Sequence, residues 1–130
     1  MSRMTKLKKV VKYAPSYKYL NVCLEDGDNC GKCEKCVRTL LGIDALGALD
    51  NYAEVFDIDY YRKHKKWYLQ QMLIQMVHNK HDYFEIYNYK KKDMSLLLYV
   101  YKGLYKMAYI GRIIADNIGI TKLVKLILKR

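Results

Sequence analysis

Cys23-Leu-Glu-Asp-Gly-Asp-Asn-Cys30-Gly-Lys-Cys33-Glu-Lys-Cys36 holds every cysteine of the 130-residue chain, at the spacing C-x6-C-x2-C-x2-C. A C-x2-C pair chelates a metal through a tight turn, and four thiolates complete the tetrahedron that zinc accepts. Cys23, Cys30, Cys33 and Cys36 are therefore the expected metal ligands, with zinc as the expected ion. Four protein ligands leave no position for water or substrate, so the site reads as structural rather than catalytic. Gly31 lies where a knuckle must turn backbone amides toward sulfur, a geometry glycine tolerates best. Lys32, Lys35 and Arg38 offset the negative charge of four thiolates on a divalent ion. Two other readings remain. C-x2-C-x2-C also occurs in iron–sulfur proteins, although the Cys-Pro that follows such triplets is missing here and Cys23 lies upstream. The plainer reading is four buried free thiols.

Outward from the cysteines, the apolar periodicity is helical. Val37, Leu40, Leu41, Ala45 and Ala48 recur at spacings of three and four, which predicts a helix over 34–49 with two of the expected ligands at or just before its first turn. The positive end of that helix would favour the thiolate form. On the N-terminal side, residues 5–13 read as a short basic helix with Leu7, Val10 and Val11 on one side. Pro15 closes it, and 17–23 reads as extended. On the C-terminal side, 55–57 reads as a short anchor. A helix over 59–79, capped by Asp59, carries the stripe Tyr61, Tyr68, Leu69, Met72, Leu73 and Met76. Residues 82–89 fit either helix or strand, and 90–93 are a polar break. Residues 95–115 are rich in Leu, Tyr, Ile and Val but are interrupted by Lys102, Lys106 and Arg112, short of a membrane span. Residues 120–130 read as a basic amphipathic helix.

These elements predict a mostly α fold: a small helical domain with a four-cysteine zinc knuckle near the N-terminus. The length suits a single domain over 1–130. Its first part, 1–57, holds the basic helix, the knuckle and the following helix. Its second part, 58–130, is a helical extension with the basic C-terminus. A hydrophobic fraction of 52% with a single proline excludes a disordered tail. The net charge of +11, from 24 basic and 13 acidic residues, favours polyanionic partners or a lysine-rich solvated surface. Fourteen tyrosines against two phenylalanines suit half-buried helix faces and interfaces. Residues 1–6 lead into no apolar segment, which fits a reducing cytoplasm, where clustered cysteines hold metal rather than form disulfides.

Other chemistry is sparse. His78 and His81, at i and i+3, lack a third ligand nearby and read as surface residues. Asp57 and Asp59 read as helix-start residues rather than a carboxylate pair. The sequence contains no G-x-x-x-x-G-K-[ST], G-x-G-x-x-G or G-x-S-x-G.

Leu20-Asn-Val-Cys23, then Asn29-Cys-Gly-Lys-Cys-Glu-Lys-Cys-Val-Arg-Thr-Leu-Leu41, then Ala45-Leu-Gly-Ala-Leu-Asp50, resembles the C-terminal part of the PP-loop (adenine nucleotide alpha-hydrolase-like) ATP pyrophosphatases. The likeness is to the 7-cyano-7-deazaguanine synthase branch and its uncharacterised relatives. It covers residues 2–57. It implies a structural zinc on Cys23, Cys30, Cys33 and Cys36, a motif position for Arg38, and a preceding segment matched by Ser2, Arg3 and Lys6. Members of this family grip ATP on an N-terminal domain with an S-G-G-x-D-S loop. No such loop is in this sequence. The expectation is a zinc-stabilised module from the back end of such a protein, inactive by itself, with a separate ATP-binding half or a second copy as partner. Two further expectations come from the charge: a nucleic-acid-binding zinc module, and a peripheral protein docked on an anionic membrane or a partner through its C-terminus.

Overall fold

The chain enters its first helix, α1 (Arg3–Val10), through Ser2, whose Oγ accepts the Thr5 amide at 3.2 Å. The side-chain oxygen satisfies one of the amides that a helix start leaves without an internal partner. The structure is a computed structural model and describes residues 1–25, 27–90 and 96–119. It divides into two compact units, Met1–Asp93 and Met94–Arg130. Among the described residues every regular element is helical, and the expected mostly α class is what the chain adopts.

In the first unit α1 is followed by the single turn α2 (Ser16–Tyr19), α3 (Glu34–Ala45), a 3-10 turn (Leu49–Tyr52), α4 (Ile58–Lys63), α5 (Lys65–Val77) and α6 (His81–Lys90). The expected helix over 5–13 thus starts and ends earlier. Pro15 does not close it but opens α2, where a residue with no amide hydrogen costs least. The expected extended stretch 17–23 accordingly begins as helix. Ser16 is buried there, bonded to Val10 O at 2.9 Å and to the Tyr52 hydroxyl at 2.8 Å. The ambiguous 82–89 segment is helical as part of α6.

The core lies where α3, α5 and α6 meet. These helices pack on one another, and Val37, Leu40, Leu41 and Ile43 of α3, Tyr68, Leu69, Met72, Leu73 and Met76 of α5 and Tyr83 and Ile86 of α6 are all buried. The whole α4–α5 stripe read from the sequence is inside, but on two helices: the chain breaks at His64, whose Nδ1 lies 2.9 Å from Tyr60 O. Asp57, not Asp59, caps α4, accepting the Tyr60 amide at 2.9 Å. Helix α3 stops at Ala45 rather than at 49. The Gly47 amide bonds Asp44 O at 3.0 Å and the Ala48 amide bonds Ile43 O at 3.1 Å, a pair that closes the last turn. Asn79, at φ 59°, closes α5 with the same pair to Met76 O and Gln75 O. Helix α1 approaches α3 at Gly42, where a Cβ would lie 2.5 Å from Leu7 Cδ2.

In the second unit the described structure is one helix, α7 (Leu96–Ile118). Among the described residues no helix is long and apolar enough to cross a membrane. The expected basic helix over 120–130 lies outside the described residues.

Candidate metal centre

Three backbone devices gather the cysteines. The first is the 30–33 turn: Cys30 Sγ accepts the amides of Lys32 at 3.4 Å and Cys33 at 3.2 Å. This requires Gly31 at φ 71°, a left-handed conformation in which a side chain would be strained. The second is the start of α3. Cys33 is its N-cap, and Cys33 Sγ accepts the Cys36 amide at 3.5 Å. The third is Asn29, which ties the loop to its surroundings. Its Nδ2 donates to Leu20 O at 2.8 Å and Val55 O at 3.0 Å, while Oδ1 accepts the Val22 amide at 2.9 Å. That clamp delivers Cys23 to the far side of the site, with Cys23 Sγ 3.9 Å from Cys33 Sγ. From α5, the Tyr68 hydroxyl donates to Gly31 O at 2.8 Å and fixes the turn against the core.

All four sulfurs lie within 4.8 Å of one another. Thiolates at about 2.3 Å from one tetrahedral ion stand about 3.8 Å apart, so the donor set fits a single metal ion. All four cysteines are free of disulfides: Cys36 is buried, Cys23 and Cys33 are half-buried, and Cys30 is exposed. The sequence-predicted ligands are thus brought together, and they form the only group of three or more potential ligands among the described residues. His78 and His81 do not join it; His81 faces Glu85 on its own helix at 3.6 Å.

The electrostatics favour thiolates at the edge and oppose them at the bottom. Burial works against ionisation of Cys33, but the Cys36 amide and the other donors around the sulfur outweigh it and bring its pKa down to about 6. The Cys30 and Glu25 backbone amides lower Cys23. Burial, reinforced by the neighbouring sulfurs, pushes Cys36 well up. Four sulfurs crowded together without a cation cannot all ionise; a divalent ion removes that conflict. Lys32 and Lys35 are exposed nearby, Lys32 with Nζ 5.2 Å from the Tyr60 ring centre. Arg38 instead turns to carboxylates. It meets Asp82 at 3.1 Å, and Arg3 reaches the same Asp82 oxygen at 2.9 Å. The two arginines singled out by the family resemblance therefore share one partner on α6.

A second polar cluster lies at the other end of α3. Asp44 Oδ2 accepts from the Tyr61 hydroxyl at 2.6 Å and from Lys90 Nζ at 2.7 Å, with Lys65 Nζ at 3.4 Å. The Lys90 side chain is only 5% exposed. Burial pushes the Asp44 carboxyl up, but the bonds from Lys90 and Tyr61 and the Lys65 charge hold it below its ordinary value. The sequence reading missed this cluster because Lys90 opens a lysine run. The available signal was its place at the end of the stripe Tyr83, Ile86, Lys90.

No protein family, curated protein or solved structure matches this chain.

Proposed function

We propose that Cys23, Cys30, Cys33 and Cys36 hold one structural zinc ion, and that the chain is the zinc-stabilised C-terminal module of a PP-loop ATP pyrophosphatase-like protein of the cytoplasm. The observation that carries the zinc assignment is four free thiols within 4.8 Å of one another, two of whose sulfurs also accept backbone amides. Amide donors to sulfur stabilise thiolate charge without occupying a metal position. An iron–sulfur cluster places several irons and sulfides among its thiolates, for which this spacing leaves little room. With all four positions taken by cysteine, the metal holds the loop and the start of α3 and performs no chemistry. The assignment to an ATP-using protein rests on the motif around the cysteines, and the ATP would bind a separate partner bearing the phosphate-gripping loop. Metal analysis of the purified chain, combined with a pyrophosphate-release assay, tests both parts. The reading expects about one zinc per chain and no turnover of ATP by the chain alone. Stoichiometric iron with visible absorbance overturns the zinc assignment, and ATP turnover by the chain alone overturns the module reading.

One feature favours a second reading, a basic nucleic-acid-binding module. At the cysteine loop, Lys32 lies over Tyr60, Tyr60 stacks on His64 at 4.0 Å, and Trp67 is exposed in the same sequence stretch as Lys63 and Lys66. Cations around an exposed aromatic are the elements of a single-strand site. Gel retardation of a single-stranded RNA at low salt, weakening steeply as salt rises, is its expected signature. Unretarded RNA at low salt removes it.

A further inference from the structure

Helix α7 presents to solvent the kind of surface that α3 buries. Leu104, Met107, Gly111 and Ile114 follow one another at spacings of three and four, with Ile110 beside them, and together span about 120° of the helix. Leu104 is 62% exposed, Met107 71%, Ile110 45% and Ile114 51%. Glycines independently show the same openness: a Cβ placed on Gly103 or Gly111 would meet no atom within 4 Å. A contiguous exposed apolar stripe of this kind marks a contact surface rather than ordinary scatter.

Charge identifies the occupant. Exposed Lys106 and Arg112 stand on the two flanks of the stripe. The unit as a whole carries seven Lys and Arg residues against one acid, Asp116. Two copies joined through this stripe would bring like charges together along both flanks. An anionic bilayer surface instead neutralises them, while the stripe enters the boundary between headgroups and acyl chains. The helix has the length for this, 23 residues or about 35 Å, and it is not long and apolar enough to cross. We infer that α7 is an in-plane anchor for membranes rich in anionic lipid. This inference is independent of the zinc and ATP readings, because it concerns the other unit.

The test is flotation of the full zinc-loaded chain with vesicles of phosphatidylcholine alone and of phosphatidylcholine mixed equally with phosphatidylglycerol. The chain is expected to float with the anionic vesicles and not with the neutral ones. The double variant Met107→Glu/Ile114→Glu replaces exposed side chains, so its helix content and metal content should stay unchanged, and its partitioning should fall roughly tenfold or more. Lys106→Glu/Arg112→Glu should weaken binding and flatten its salt dependence. Absence of flotation by the intact chain overturns the inference, as does undiminished flotation of the Glu variant. A dimer in gel filtration that the Glu variant dissociates, without vesicle binding, assigns the stripe to a second copy instead.

Discussion

Helix α3 carries a polar cluster at each end, and the two are built on opposite principles. At its start, Cys36 and the N-cap Cys33 belong to a set of four sulfurs that lie within 4.8 Å of one another. Near its end, Asp44 has its counterions supplied by the chain itself, Lys90 and Lys65, with the Tyr61 hydroxyl completing the bonds. One cluster is electrostatically closed; the other has the donor set to take an ion from outside. The difference teaches where the fold depends on its environment. The Asp44 end is secured by protein alone, whereas the cysteine end is tied to its surroundings by Asn29 and Tyr68, and on the proposed reading a metal ion would supply the rest of its rigidity.

The largest expected effect is therefore at the cysteine end. Cys36→Ser removes the buried ligand and should abolish stoichiometric zinc binding. It should also cost most of the cooperative unfolding transition, since structural zinc sites contribute on the order of 10 kcal/mol to folding; calorimetry with and without added zinc reads this. Next comes the self-sufficient end. Asp44→Ala leaves Lys90 buried without its carboxylate and should destabilise by about 3 to 5 kcal/mol in urea unfolding. Lys90→Met should cost less, because Asp44 keeps Tyr61 and Lys65. Neither should change the zinc content. The pH dependence follows from the same cluster. The folded Asp44 carboxyl is held below its unfolded value, so its contribution is complete above about pH 4 and is lost as pH falls through the folded value.

Gly42→Val tests the contact between α1 and α3 that lies between the two clusters. Its methyl groups would enter the space held by Leu7, at an expected cost of about 1 to 3 kcal/mol with zinc content unchanged. Tyr68→Phe is the smallest change and the one that links core to metal. Loss of the hydroxyl bond to Gly31 O should cost about 1 kcal/mol and, unlike Gly42→Val, should speed transfer of zinc to a competing chelator.

Much of this architecture is legible in the sequence wherever one face of a helix is apolar. Tyr61, Tyr68, Leu69, Met72, Leu73 and Met76 were identified by spacing alone, and all are buried. The grouping of the four cysteines was legible for a similar reason: metal chelation constrains local spacing, and the structure brings the four sulfurs together. What spacing does not carry is where a helix ends when the stripe continues. The stripe runs on from Tyr61 to Tyr68 through the break at His64, and Ala48 continues the α3 pattern beyond the turn closed by Gly47. Asp44 and Lys90, 46 positions apart, meet only after α3 and α6 pack, so neither betrays its partner locally. Ile43 escaped the α3 stripe because it lies off the face of Val37, Leu40 and Leu41, yet it is fully buried.

The central claim, that an external ion holds the start of α3 while the chain holds its end, is tested most directly by zinc titration of the metal-stripped protein followed by amide hydrogen exchange. The account predicts that stripping the metal exposes residues 23–40 to rapid exchange while amides around Asp44 and in α5 and α6 stay more protected, and that about one zinc per chain restores protection. Equal protection of residues 23–40 with and without zinc would contradict it.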